Sequence, residues 1–358
     1  MEQDLTTGSV FKRIVYFSLP YLLSYFLQTL YGMADLFITG QFYGVDTITA
    51  VSNGSQIMHM MTVIIVGLAM GTTVTIGHSV GAKCMEQAEK IIGNTITLFM
   101  GIAVAFTVIL VALVKPIVVL IATPQEAVAG TSIYLLICFI GIPFITAYNV
   151  ISSIFRGLGD SKSPMCFIAV ACVVNIALDY LFMGYFHLGP AGAALGTTMS
   201  QAFSVVLALI VIIKKQSGIT LQKSDLRPQK AVMGQLLQIG IPVALQDGFI
   251  QIAFIVITII ANRRGLSAAA AVGIVEKIIS FLFLVPSSML STVSALCALN
   301  IGAGKYDRAR ATLRYALMIA VGFGIIVSIV IQFIAEPVVG LFTTDEVVKT
   351  MGGQYLRG

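Results

Sequence analysis

Apolar runs recur along this chain at lengths that only a bilayer accommodates. They cover 14–39, 48–76, 91–114, 130–153, 164–184, 191–213, 237–261, 268–298 and 313–335, and a tenth begins near 347. A helix rises about 1.5 Å per residue, so about 20 apolar residues cross the hydrocarbon core. Transmembrane barrel strands alternate apolar and polar residues, whereas Ile102–Val114 and Val205–Ile213 are apolar almost without a break. Only 10% of the 358 residues are charged, against about 25% in a soluble domain. The chain reads as an all-α polytopic membrane protein.

The few charges orient the bundle. Lys12/Arg13, Lys83/Lys90, Arg156/Lys162, Lys214/Lys215/Lys223/Arg227/Lys230 and Lys305/Arg308/Arg310/Arg314 sit at the amino end and in alternate loops. The opposite loops hold only Lys115, Arg263, Arg264 and Lys349. The positive-inside rule places the amino terminus and the basic loops in the cytoplasm, with Arg263/Arg264 dissenting. The net charge of +5 is spread over loops between spans, so no nucleic-acid partner is expected. Lys12 and Arg13 lead into a run too long for a signal peptide. The five cysteines form no CxxC pair, and His59, His78 and His187 stand alone, so neither a metal, a disulfide framework nor a cofactor is expected. No H-E-x-x-H, P-loop or Gly-x-Ser-x-Gly occurs, which argues against an enzyme.

An internal repeat organises the spans. Pro20 matches Pro242 at an offset of 222, and three further matches share an offset of 221. These are Gly81-Ala82 with Gly302-Ala303, Pro116 with Pro337, and Tyr134 with Tyr355. An even number of spans separates the copies, so both enter the membrane from the same side. The expected organisation is an amino-terminal six-helix lobe at 1–215, a linker at 216–235 and a carboxy-terminal lobe at 236–358. By this repeat residue 358 corresponds to residue 137, so the second lobe is expected to be incomplete, with about nine to ten helices in total.

Acidic residues within apolar runs are the candidates for chemistry, because a charge at the bilayer centre costs about 2.5–3.5 kcal/mol on insertion scales. Asp35 and Asp179 fit a cation or proton site best. Asn175 lies one helical turn before Asp179, and Tyr31 one turn before Asp35. Asp247, with Gln246 and Gln251 near it, is expected to line a cavity. Glu276, next to Lys277, reads as structural. Pro20 and Pro242, inside spans, are candidate hinges.

Together these residues resemble the multidrug and toxic compound extrusion (MATE) family. The doubled six-span plan, Pro20 with Asp35, Arg156-Gly-Leu-Gly-Asp160, Asn175-Ile-Ala-Leu-Asp179 and Gly189-Pro-Ala-Gly-Ala-Ala-Leu-Gly-Thr197 carry the resemblance. It implies two six-helix lobes around a cavity, exporting cationic amphipathic compounds in exchange for H+ or Na+. A monomer in the cell membrane is expected. The implied ion site is Asp35, Asn175, Asp179 and Thr197, with a backbone carbonyl from Ala193. Tyr31 and Tyr134 are implied cavity residues, and Pro20 the bending point of the first helix. One branch of the family has a glutamate eight residues after the seventh-helix proline, where this chain has Ile250. The rival readings are a lipid-linked oligosaccharide flippase of the same superfamily and a non-transporting membrane scaffold.

Overall fold

A computed structural model describes residues 5–214, 222–343 and 345–358. The first part of the expected 216–235 linker, through residue 221, lies outside the described residues. Among them every regular element is helical: α1 (Val10–Phe42), α2 (Val45–Gly81), α3 (Met85–Leu120), α4 (Gln125–Ile140), α5 (Ile142–Gly157) and α6 (Lys162–Asp179). A π-helical turn (Tyr180–Tyr185) leads to α7 (Pro190–Lys214), followed by α8 (Lys230–Arg263), α9 (Leu266–Leu282), α10 (Leu284–Gly302), α11 (Tyr306–Gly340) and α12 (Glu346–Arg357).

Among the described residues seven helical stretches are long and apolar enough to cross a membrane, and the bent pair α4–α5 makes an eighth. The expected run 130–153 is therefore a broken span: α4 and α5 meet at Gly141 with a 49° bend. Pro143 at the start of α5 brings no N–H to the helix ladder, which explains the break. Run 268–298 is built from α9 and α10, which together form one apolar stretch, Ala270–Gly302. Helix α1, 33 residues long, falls outside the apolar set. Of its hydroxyl and phenol side chains, Ser18, Tyr21 and Ser24 are buried and Tyr25 partly so, against protein rather than lipid. Ser24 Oγ donates to the Pro20 carbonyl at 2.7 Å, and Tyr25 pairs its hydroxyl with Ser291 Oγ of α10 at 2.7 Å.

Lipid tails are as apolar as leucine, so helix association in a bilayer depends on close packing. Small residues supply it where the two repeats meet. A Cβ on Gly67 would run into the backbone of Ala244, and one on Gly71 into the carbonyl of Leu236. Gly240 returns the arrangement against the carbonyl of Leu68. Around these contacts Ile14, Phe17, Ala69, Ile76, Leu296 and Leu299 form one core shared by both repeats.

At the end carrying the basic loops the contact becomes reciprocal. A Cβ on Gly81 would strike the carbonyl of Leu299, and a Cβ on Gly302 would strike the carbonyl of His78. His78 and Leu299 are themselves related by the repeat offset of 221. Two straps then cross between repeats. The segment before α1 is held by the α10–α11 corner: Lys305 Nζ donates to the Thr6 carbonyl at 2.8 Å, and Arg308 Nη1 to the Gly8 carbonyl at 2.7 Å. The segment before α8 is held by α3. Asn94 Nδ2 donates to the Asp225 carbonyl at 3.2 Å, and Asn94 Oδ1 accepts from Gln229 N–H at 2.7 Å. Thr97 Oγ1 adds a donation to the Leu226 carbonyl at 2.8 Å.

Candidate functional site

Four elements converge on Asp35. Helix α1 supplies Asp35 and Tyr31, α6 supplies Asn175 and Asp179, α7 supplies Thr197, and α4 supplies Tyr134 and Cys138. Asp35 is 3% exposed, and Asn175 and Asp179 are fully buried. Thr197 Oγ1 donates to Asp35 Oδ2 at 3.2 Å. Asp179 and Asn175 are the other polar neighbours of the Asp35 carboxyl. Tyr31 faces Asp35, Cys138, Thr197 and Asp179.

Local structure explains the placement. Helix α6 ends at Asp179, and the next six residues form the π-helical turn, a feature common where helices carry function. Tyr43 ties that turn down: its hydroxyl donates to the Met183 carbonyl at 3.0 Å and accepts from Gly189 N–H at 2.9 Å. Gly196 lies against Asp179, so close that a Cβ there would collide with the Asp179 Oδ1. On α1, Thr39 Oγ1 donates to the Asp35 carbonyl at 2.6 Å.

The electrostatics are unusual for a buried pair. Among the described residues neither Asp35 nor Asp179 makes an ion pair. Asp35 Oδ1, both Asp179 carboxylate oxygens and both polar atoms of the Asn175 amide are buried with no hydrogen-bond partner. Unsatisfied buried carboxylates are costly unless they are paired or neutralised. The pocket thus sets two carboxylates among the Thr197 and Tyr31 hydroxyls and the Asn175 amide, an oxygen-rich arrangement suited to a proton or a small cation. Among the described residues no group of three or more His, Cys, Asp and Glu is arranged to hold a metal ion.

The other candidate residues fall in different places. Ala193 is fully buried in the first turn of α7. Tyr134 is buried over Gly54, with its hydroxyl 3.1 Å from Ser55 Oγ, and borders the Asp35 pocket through Cys138 and Tyr31. Asp247, Gln246 and Gln251 lie on α8 in the second repeat, partly or fully exposed, and do not join the carboxylate pair. Pro20 is buried inside α1, and next to it the Arg156 guanidinium lies 4.5 Å from the Tyr21 ring centroid. Pro242 lies inside α8. Cys138 and Gly196 border the pocket but are not among the residues singled out from the sequence. The one-turn spacing of Tyr134 and Cys138 was the available signal.

Comparison with known proteins bears on this arrangement. The "Probable multidrug resistance protein YoeA" of Bacillus subtilis (strain 168) is 28% identical over 351 residues, covering 96% of this chain and 76% of that protein. The multidrug export protein MepA of Staphylococcus aureus (strain bovine RF122 / ET3-1) is 27% identical, covering 97% of this chain and 77% of the relative. A solved structure described as the outward-facing conformation of a multidrug resistance MATE family transporter of the MOP superfamily shares the fold. Its TM-score is 0.88 at 23% identity, over 99% of this chain and 79% of that one. The MatE family model matches residues 20–181 and 242–358, which is most of the chain and includes both repeats. This chain belongs to the MatE family, the multidrug and toxic compound extrusion transporters.

Proposed function

We propose that this protein is a secondary antiporter that exports cationic amphipathic compounds in exchange for H+ or Na+, with Asp35 and Asp179 as the ion-coupling pair. The observation that carries the reading is the set of buried, unpartnered carboxylate and amide atoms around Asp35, Asp179 and Asn175. Two buried acidic groups without a counter-ion gain most from taking up a cation. Thr197 orients Asp35 for it through the 3.2 Å hydrogen bond. The family relatives named as multidrug export proteins support a transport role rather than an enzymatic one.

In this reading the basic loops face the cytoplasm. The reciprocal contact of Gly81 and Gly302 then closes the cytoplasmic side, and the chain is held in an outward-facing state. An ion entering from outside neutralises the pair, so α1 no longer has to shield two charges, and it can bend at Pro20. That change in α1 alters the cavity and favours release of the exported compound. Coupling follows because ion and exported compound prefer different arrangements of α1; a ligand with equal affinity for both would shift nothing. Tyr31 and Tyr134 border the pocket from the cavity side, and Asp247, Gln246 and Gln251 provide polar lining from the other lobe. No cofactor is required, and a monomer suffices.

The test is efflux of a fluorescent lipophilic cation from cells lacking their own pumps, under an imposed proton or sodium gradient. Wild type is expected to follow one of the two gradients and Asp35→Asn to lose the dependence, by tenfold or more. Full coupling retained in Asp35→Asn, with equal amounts of protein in the membrane, overturns the assignment.

A further inference from the structure

A groove runs between α1 and α6 along the amino-terminal half of α1, whereas Asp35 lies in the other half. Its volume is about 600 Å³, and Val15, Leu19, Pro20 and Leu23 of α1 with Met165 of α6 form its apolar walls. Lys12 and Tyr16 of α1 and Lys162, the first residue of α6, line the end where both helices begin.

The groove has the dimensions of half a bilayer. Lys12, Val15, Leu19 and Leu23 recur at spacings of three and four, so they share one face of α1, and all four are exposed. Lys12 and Leu23 lie about 16 Å apart along the helix at about 1.5 Å per residue. The hydrocarbon core of a bilayer is about 30 Å thick, so this length matches the acyl region of one leaflet.

The charged end suits an anion. Lys162 Nζ sits 4.7 Å from the centre of the Tyr16 ring, which holds the ammonium at the mouth of the groove. A polar pocket of about 290 Å³ adjoins it and shares Lys12 and Tyr16, with Gly8, Ser9 and Arg13 as its other walls. Those walls are fixed: Arg13 Nε donates to the Thr7 carbonyl at 3.3 Å, and the Gly8 carbonyl accepts from Arg308 Nη1 at 2.7 Å. Among the described residues Lys12, Arg13 and Lys162 line the two cavities and no acidic side chain does. Such an end repels a cationic amphiphile, the cargo proposed above. A lipid phosphate above an acyl chain matches both its charge and its apolar continuation.

We infer that the α1–α6 groove binds one anionic phospholipid of the cytoplasmic leaflet, its phosphate between Lys12 and Lys162 and an acyl chain along Val15, Leu19 and Leu23. The choice of leaflet rests on the orientation given by the basic loops. An acyl chain there lies across Pro20 and braces α1 at its hinge. That consequence for transport rests on the antiport reading above, whereas the binding site does not.

The experiment titrates the purified full chain in detergent with palmitoyl-oleoyl phosphatidylglycerol or phosphatidylcholine and counts bound lipids by native mass spectrometry. Wild type is expected to hold one phosphatidylglycerol about tenfold more tightly than phosphatidylcholine. The double variant Lys12→Gln, Lys162→Gln should reduce that preference fivefold or more. Leu19→Trp, which fills the groove, should weaken phosphatidylglycerol binding by a similar factor, with a Tm near wild type showing that the fold is intact. The control Lys83→Gln, Lys214→Gln removes the same charge from two other exposed lysines of the basic side and should keep the preference. Equal affinity for the two lipids overturns the site, and so does an equal loss in the two double variants. Displacement of the bound lipid by tetraphenylphosphonium also overturns it, by giving the groove to the exported compound. Asp35→Asn should bind phosphatidylglycerol as wild type does, so a failure of the ion-coupling assignment in the efflux test is read separately from a failure of lipid binding.

Discussion

Gly196 of α7 faces the carboxylate of Asp179, and the separation leaves no room for a methyl group between them. The Asn175 amide lies 3.6 Å from where that methyl would sit. The glycine thus sets how closely α7 approaches α6, and with it the size of the acidic pocket. Gly196→Ala is expected to push the two helices apart, with an overpacking cost of about 1–3 kcal/mol. Thermal unfolding should show the loss, and ion-dependent efflux should fall by tenfold or more. Wild-type values for both would mean that the pocket tolerates expansion.

Thr197 donates its hydroxyl to Asp35 Oδ2, so its removal acts on the carboxylate directly. A hydrogen bond to a charged group contributes about 1.5–3 kcal/mol. Thr197→Val keeps the shape of the side chain and removes the donor; it should weaken ion dependence about tenfold or more. Thr197→Ser, which restores the hydroxyl, should recover most of it. Equal coupling in the two variants would assign Thr197 to packing alone.

Asn94 makes a different kind of prediction. Its amide holds the Asp225 carbonyl and the Gln229 N–H at once, and it is fully buried. Asn94→Ala leaves both backbone groups without their partner, at about 1–3 kcal/mol each before water reaches them. The segment before α8 should then become accessible to protease, at a rate well above wild type. Limited proteolysis of the protein in membranes, read by mass spectrometry, measures this. An unchanged cleavage rate would show that Thr97 alone holds the strap.

Gly81 and Gly302 set the closure at the basic end. Gly81→Val and Gly302→Val should each separate α2 from α10 there, again at about 1–3 kcal/mol. Cysteines placed near the ends of α2 and α10 should react faster with a water-soluble maleimide in either variant. Reaction at the wild-type rate would mean that the straps hold the end shut without the glycines.

Much of this architecture was legible in hydropathy. The runs near 48–76, 91–114 and 313–335 became α2, α3 and α11, because an uninterrupted apolar stretch has few other fates in a bilayer. The break at Gly141 does not show in the hydropathy of the run as a whole; its signal is the local Gly141-Ile-Pro143 punctuation. The carboxylate pair was only half legible. Burial cost pointed to Asp35 and Asp179 separately, but no periodicity within α1 or α6 says that these helices pack together; the family resemblance supplied that link. Glu276 looked structural because Lys277 follows it. Its tie to Thr258, on another helix, could not be read from neighbours along the chain.

The glycine contact between α2 and α10 has the form of an isologous interface, in which one patch meets a copy of itself across a two-fold axis. Here both patches belong to one polypeptide. A surface of this kind has to be self-complementary only once, so a half-length chain carrying it would already possess the contact that joins the lobes, as a homodimer. Fusion then frees the two copies to diverge everywhere except at the axis. A bulky residue gained at 81 meets a partner that has not changed with it, and position 302 faces the same constraint from the other side.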